Sequence, residues 1–208
     1  MGWLTLANIE STRLLKVMEE LSLTSHRATA IVAASFVEEH LTTLLKSRLV
    51  SDKKTMDELF RPDGAIGSFG VKIKIGYLSG LYSKASMNEL IIINKIRNKF
   101  AHDIDTACFD VGCIKDMCGC LVMWEHKKIK VHHDMKVYTE TCQSQNVRLI
   151  ITMGDSVNDG EQHLPIIDLI DEEQNPSPAK RYECACRFFI AAFSILINTG
   201  HKPSSPML

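Results

Sequence analysis

The sequence predicts a mainly α-helical protein with a small β-containing insert around residues 127–153. Three observations predict it. Between residues 25 and 50, Ile31, Ala34, Val37, Leu41, Leu44 and Leu45 recur at spacings of three and four, the period of one helix face. The same period returns in Leu90, Ile93, Ile96 and Phe100, and in Tyr182, Ala185, Phe188, Phe189, Ala192, Ile195 and Leu196. From Lys127 the composition shifts to lysines and histidines, and Val147 to Met153 is β-prone.

Taken in order, Leu14, Val17, Met18 and Leu21 mark a short amphipathic helix within residues 8–22. In the helix over 25–50, Thr24 or Ser25 can accept from the open amides of the first turn. Ala28, Ala30, Ala33 and Ala34 let a second helix approach closely. Glu38, Glu39 and His40 interrupt this helix with polar atoms. They read first as a solvated face, and second as carboxylates placed to support Arg97. Residues 53–60 suit one or two helical turns, and Pro62-Asp63-Gly64 is a turn. Ser68 is placed as an N-cap.

Residues 69–78 alternate Phe69, Val71, Ile73, Ile75 and Tyr77 with small or basic residues, which is strand period. As a helix, the same stretch puts Phe69, Ile73 and Tyr77 on one stripe. After a break at Gly80, Ser86 and Glu89 have capping-box spacing. The helix they open ends with Lys95, Arg97 and Lys99, cations that oppose the negative pole of its dipole. A further helix is expected over 106–126, with Cys113, Met117, Leu121 and Trp124 in register. Residues 155–175 are acidic and read as an exposed connector. Ser177-Pro178 opens the last helix, and Gly200 and Pro203 stop it. Residues 1–126 and 177–200 thus form one helical domain, 127–176 a polar insert and 201–208 a flexible tail.

The 208 residues are 45% hydrophobic and 24% charged, with a net charge of −1, so no global charge draws the chain to nucleic acid or membrane. No apolar stretch is long enough to span a bilayer, and Met1 to Thr5 lacks the basic start of a signal peptide. A cytoplasmic location is expected. Seven cysteines, an odd number set mostly in apolar runs, fit reduced buried thiols better than a disulfide framework.

The residues that carry chemistry are Arg97, Asn98 and His102. Asn98 and His102 are four apart and share a helix face, with Arg97 one position around. A guanidinium can clamp a phosphate, an imidazole can move a proton near neutral pH, and an asparagine can orient either. Together they are the parts for cleaving a phosphodiester with the RNA 2′-hydroxyl as nucleophile. The structural alternative is a helix end whose polar groups satisfy carbonyls. Cys118, Cys120, His126, His132, His133 and Cys142 lack the spacings of structural zinc sites, so no metal or other cofactor is expected. Lys127 to Lys136 reads as a solvated hairpin face rather than a phosphate-binding patch. Phosphate-loop, dinucleotide-binding and nucleophile-elbow patterns are absent, as is a recognisable helix-turn-helix.

Phe60-Arg61-Pro62-Asp63-Gly64-Ala65-Ile66-Gly67-Ser68-Phe69, then Gly76-Tyr77, Gly80-Leu81 and Ile96-Arg97-Asn98-Lys99-Phe100-Ala101-His102, resemble the mannitol operon repressor family of HEPN-like helical proteins. The likeness covers residues 25–102 and the last helix, with Arg187-Phe188-Phe189, and does not extend to 127–165. It implies a HEPN-like helical bundle, so residues 69–78 become a helix despite their alternation. It also implies two functional expectations. The first is a regulatory protein acting through protein–protein contacts. The second is a metal-independent ribonuclease, a toxin or defence effector, in which Arg97 clamps phosphate, Asn98 orients and His102 is the acid/base. A homodimer that brings two histidines together is implied, with a protein partner in the first case and RNA in the second.

Overall fold

The computed structural model describes residue 16 and residues 25–103, 108–122, 126–131, 137–141, 167–168 and 176–199. Six helices lie among them: α1 (His26–Ser47), α2 (Lys53–Phe60), α3 (Phe69–Leu78), α4 (Lys84–His102), α5 (Gly112–Gly119) and α6 (Pro178–Thr199). The protein is mainly α, as its periodicity predicts. Of the expected helix over 8–22 only Lys16, which is helical, is among the described residues, and the C-terminal tail lies outside them.

α6 is the centre. From Cys184 to Leu196 every residue is buried, including Cys184, Cys186, Ile190, Ala191 and Phe193, which the expected one-sided stripe leaves out. A helix buried all round, even at Arg187 and Ser194, belongs inside its neighbours rather than on a surface. α1 supplies the closest of these neighbours. Ala30, Ala33 and Ala34, each at most 1% exposed, form the small-residue face. Without bulky side chains, that face lets the two backbones approach. Tyr182 Oη, fully buried, donates to Ala30 O at 2.8 Å. At the other end Arg48 Nη2 donates to Leu196 O at 2.6 Å, so both ends of α1 are tied to α6.

α1 starts where expected: Ser25 Oγ accepts from Ala28 N at 3.3 Å. His40 is no break in it, since its Nδ1 bonds Phe36 O of the same helix at 2.8 Å. The alternating stretch 69–78 is a helix. Ser68 Oγ caps Val71 N, and Phe69, Ile73 and Gly76 face inward. α3 packs on α1 and α4, which are helices and offer no hydrogen-bonding edge to a strand. Gly80 then turns the chain at φ 71°, a value glycine adopts freely. Tyr82 folds back over Gly76, its hydroxyl donating to Ile73 O at 2.7 Å.

Two boundaries differ from expectation. α4 starts at Lys84 because Ser83, not Ser86, is its cap: Ser83 Oγ accepts from Ser86 N at 3.2 Å. Glu89, expected to close the capping box, is buried and accepts from Val122 N at 3.2 Å. α5 covers only Gly112–Gly119 rather than 106–126. Its inward residues are Ile114 and Cys118, while Cys113 is exposed. Gly112 at φ 55° marks its entry.

The insert contributes a three-stranded antiparallel sheet of order β2-β1-β3, with β1 (His126–Val131), β2 (Val137–Thr141) and β3 (Ile167–Asp168). Ile129 pairs with Thr139 on one side and Ile167 on the other. Ile167 and Asp168 therefore sit in a strand, within the stretch expected to be a connector. The strand expected at Val147–Met153 lies outside the described residues. Among the described residues no helix is long and apolar enough to cross a membrane.

Candidate functional site

α4 carries the candidate site at its C-terminal end. Leu90, Ile93, Ile96 and Phe100, all fully buried, hold one face of the helix in the core. That burial dictates what faces out. Lys95, Lys99 and His102 are exposed and Asn98 is half-buried. The end of the helix is held from two directions. Asp103 N donates to Lys99 O at 2.9 Å, and the Arg27 guanidinium at the start of α1 donates to Asp103 O. The exposed Lys99–Asp103 pair at 3.7 Å adds little, because solvent screens both charges.

Arg97 is half-buried and its Nη1 donates to Asn98 Oδ1 at 3.0 Å. Asn98 and His102 line a groove of about 390 Å³ with Lys95, Lys99, Asp103 and Met117. The three residues singled out in the sequence are therefore linked: Asn98 bonds Arg97 on one side and shares the groove with His102 on the other. A guanidinium has five donors, and the bond to Asn98 uses one of them. The groove itself presents the cationic Lys95 and Lys99 and the exposed His102 imidazole, with Arg97 held beside it through Asn98.

The expected supporting carboxylates are elsewhere. Glu38 is bonded to Lys72 of α3, Oε1 to Nζ at 2.8 Å, which gives its charge a partner other than Arg97. Glu39 is exposed on α1. Neither bonds Arg97, Asn98 or His102.

The buried acids behind the site are held protonated. Burial pushes the Cys118 thiol up to about 12, with Arg181 opposing and Asp110 adding to the shift. Burial raises Tyr182 well above its usual value, with the Arg97 charge pulling weakly the other way. Cys186 is raised by the same loss of hydration. These groups are neutral packing elements rather than nucleophiles.

A second cluster has no counterpart among the sequence motifs. His26 Nδ1 lies 3.2 Å from Cys108 Sγ, which lies 3.9 Å from Asp110 Oδ2. One donor atom from each residue falls within 4.8 Å of the others. Spacing rules could not find it, since 82 residues separate His26 from Cys108. The local signal is only Cys108-Phe109-Asp110, two ligand types flanking an apolar anchor.

No protein-family model, curated protein or solved structure matches the chain.

Proposed function

We propose that the end of α4 engages RNA, and that the chain is a metal-independent ribonuclease of the HEPN type it resembles. The observation that carries this reading is that Asn98, which bonds Arg97, lines one groove together with His102. Arg97, with Lys95 and Lys99 at the rim, holds the scissile phosphate. His102 takes the proton from the 2′-hydroxyl as that oxygen attacks phosphorus. The P–O5′ bond breaks, and the leaving oxygen takes a proton from His102 of a second copy. The products are a 2′,3′-cyclic phosphate and a 5′-hydroxyl end. One chain brings one histidine to this groove, so the working unit is a homodimer.

The test is RNA cleavage in the presence of a chelator. Wild type is expected to cut, and His102→Ala to lose a factor of about 10² to 10⁴, the usual contribution of a positioned acid/base. Failure of wild type to cut any RNA, as a dimer, rejects the enzyme.

The second reading is a regulatory protein of mannitol repressor type, acting in the cytoplasm through a protein partner. It is favoured by the lining of the same groove, which is mostly apolar around Met117 and the stems of Lys95 and Lys99. Such a surface suits an acidic segment with apolar anchors. Capture of one specific regulatory protein, lost in Met117→Asp, supports it. Tight sequence-specific DNA binding by the pure protein counts against it.

A further inference from the structure

We infer that His26, Cys108 and Asp110 form a binding site for zinc(II) or an ion of similar character, clasping the start of α1 to the loop that follows α4. The donor set selects the ion. Thiolate plus imidazole favours a borderline-soft metal over magnesium or calcium, which want oxygen alone. A neutral histidine, one thiolate and one carboxylate carry two negative charges, which balance a divalent cation.

The geometry is close to what a tetrahedral ion needs. Zinc–sulfur and zinc–nitrogen bonds of about 2.3 and 2.0 Å set the ligand atoms about 3.5 Å apart. The Cys108–His26 and Cys108–Asp110 separations of 3.2 and 3.9 Å bracket that value, and the His26–Asp110 pair, within 4.8 Å, closes onto the ion. Small side-chain movements suffice. Three protein ligands leave the fourth position to water.

The ligands are also positioned by packing. Phe109 is fully buried, its ring 4.7 Å from that of Phe100 and 5.3 Å from that of Tyr182. It pins the loop to the core, so the residues on either side of it are carried to a fixed place. The His26 ring lies 5.4 Å from the Phe109 ring. His26 Nδ1 turns its lone pair to the cluster, since Phe109 N donates to it at 3.5 Å. That weak bond gives way when the ion arrives. The positive pole of α1 opposes a cation here, and two anionic ligands outweigh it. Binding converts the Cys108 thiol to a metal thiolate and releases its proton to solvent. The site is independent of the ribonuclease reading, which uses no metal.

The test is titration of the metal-stripped, reduced full chain with cobalt(II), followed by displacement with zinc(II). One equivalent is expected to bind, with a thiolate-to-cobalt charge-transfer band and tetrahedral visible bands. Cys108→Ser should abolish the charge-transfer band. His26→Gln and Asp110→Asn should each weaken binding at least tenfold. Asp110 is exposed, so its variant tests the site without disturbing the core. A Cys113→Ser/Cys120→Ser chain, lacking the two thiols exposed among the described residues, should bind as wild type does. No binding by wild type, a band that survives Cys108→Ser, or unchanged affinity in both His26→Gln and Asp110→Asn overturns the assignment.

Discussion

Lys72 Nζ of α3 lies 2.8 Å from Glu38 Oε1 of α1, with the lysine side chain only 8% exposed. The pair joins two helices and leaves α4 untouched. Lys72→Ala strands a half-buried carboxylate and should cost about 1–3 kcal/mol in urea unfolding. Glu38→Gln should likewise lower stability while leaving RNA cleavage per folded molecule unchanged. A selective loss of cleavage would return Glu38 to a supporting position beside Arg97.

Two glycines of α3 should respond with opposite signs. A Cβ on Gly76 would lie 2.7 Å from Tyr82 Cζ, and that ring is buried and anchored on Ile73 O. Gly76→Ala should destabilise by about 1–3 kcal/mol through overpacking. A Cβ on Gly70 meets only Asn94 Nδ2, at 3.5 Å. Gly70→Ala should stabilise by roughly 0.5–1 kcal/mol, because it lowers the freedom of the unfolded chain. Thermal or urea melts of the two variants check the sign.

Alkaline conditions should loosen the core. The Cys118 pKa rises from 9.0 unfolded to about 12 folded, and Tyr182 and Tyr82 also rise. Above 9 the unfolded chain releases the Cys118 proton while the folded chain keeps it, so fewer protons are bound on unfolding. Stability is therefore full below about 9 and falls as pH climbs towards 12. Melting temperature against pH should show this decline, and Cys118→Ala should lessen it.

Asn98 should matter less than His102 for RNA cleavage. Its carbonyl holds Arg97, and its loss frees the guanidinium without removing the proton-transfer group. Asn98→Ala should reduce cleavage by a smaller factor than His102→Ala, with most of the effect in KM. Equal losses in kcat would give Asn98 a direct part in the chemistry.

The sequence was most legible where local rules met no competitor. The face of α1, the Ser25 and Ser68 caps and the outward set Lys95, Lys99 and His102 all follow from spacing within a few turns. The strand-like alternation of 69–78 misleads because Lys72 is buried by pairing rather than held at a surface. Spacing alone misplaces the α4 cap because Ser83 and Ser86 both precede an apolar run, and only packing chooses between them. Of the candidate site, Arg97, Asn98 and His102 were legible. The Glu38–Lys72 partnership and the His26–Cys108–Asp110 cluster were not, since each is made by chain segments distant in sequence.

The bond from Tyr182 to Ala30 O spans 152 residues, and α6 is the element that covers the alanine face of α1. On the ribosome that face emerges early and waits. At about 5–20 residues per second, α1 spends roughly 8 to 30 seconds without its partner. The nascent chain therefore carries a smooth apolar ridge that holding chaperones can grip. Release into the native state has to await the last helix to be synthesised among those described here.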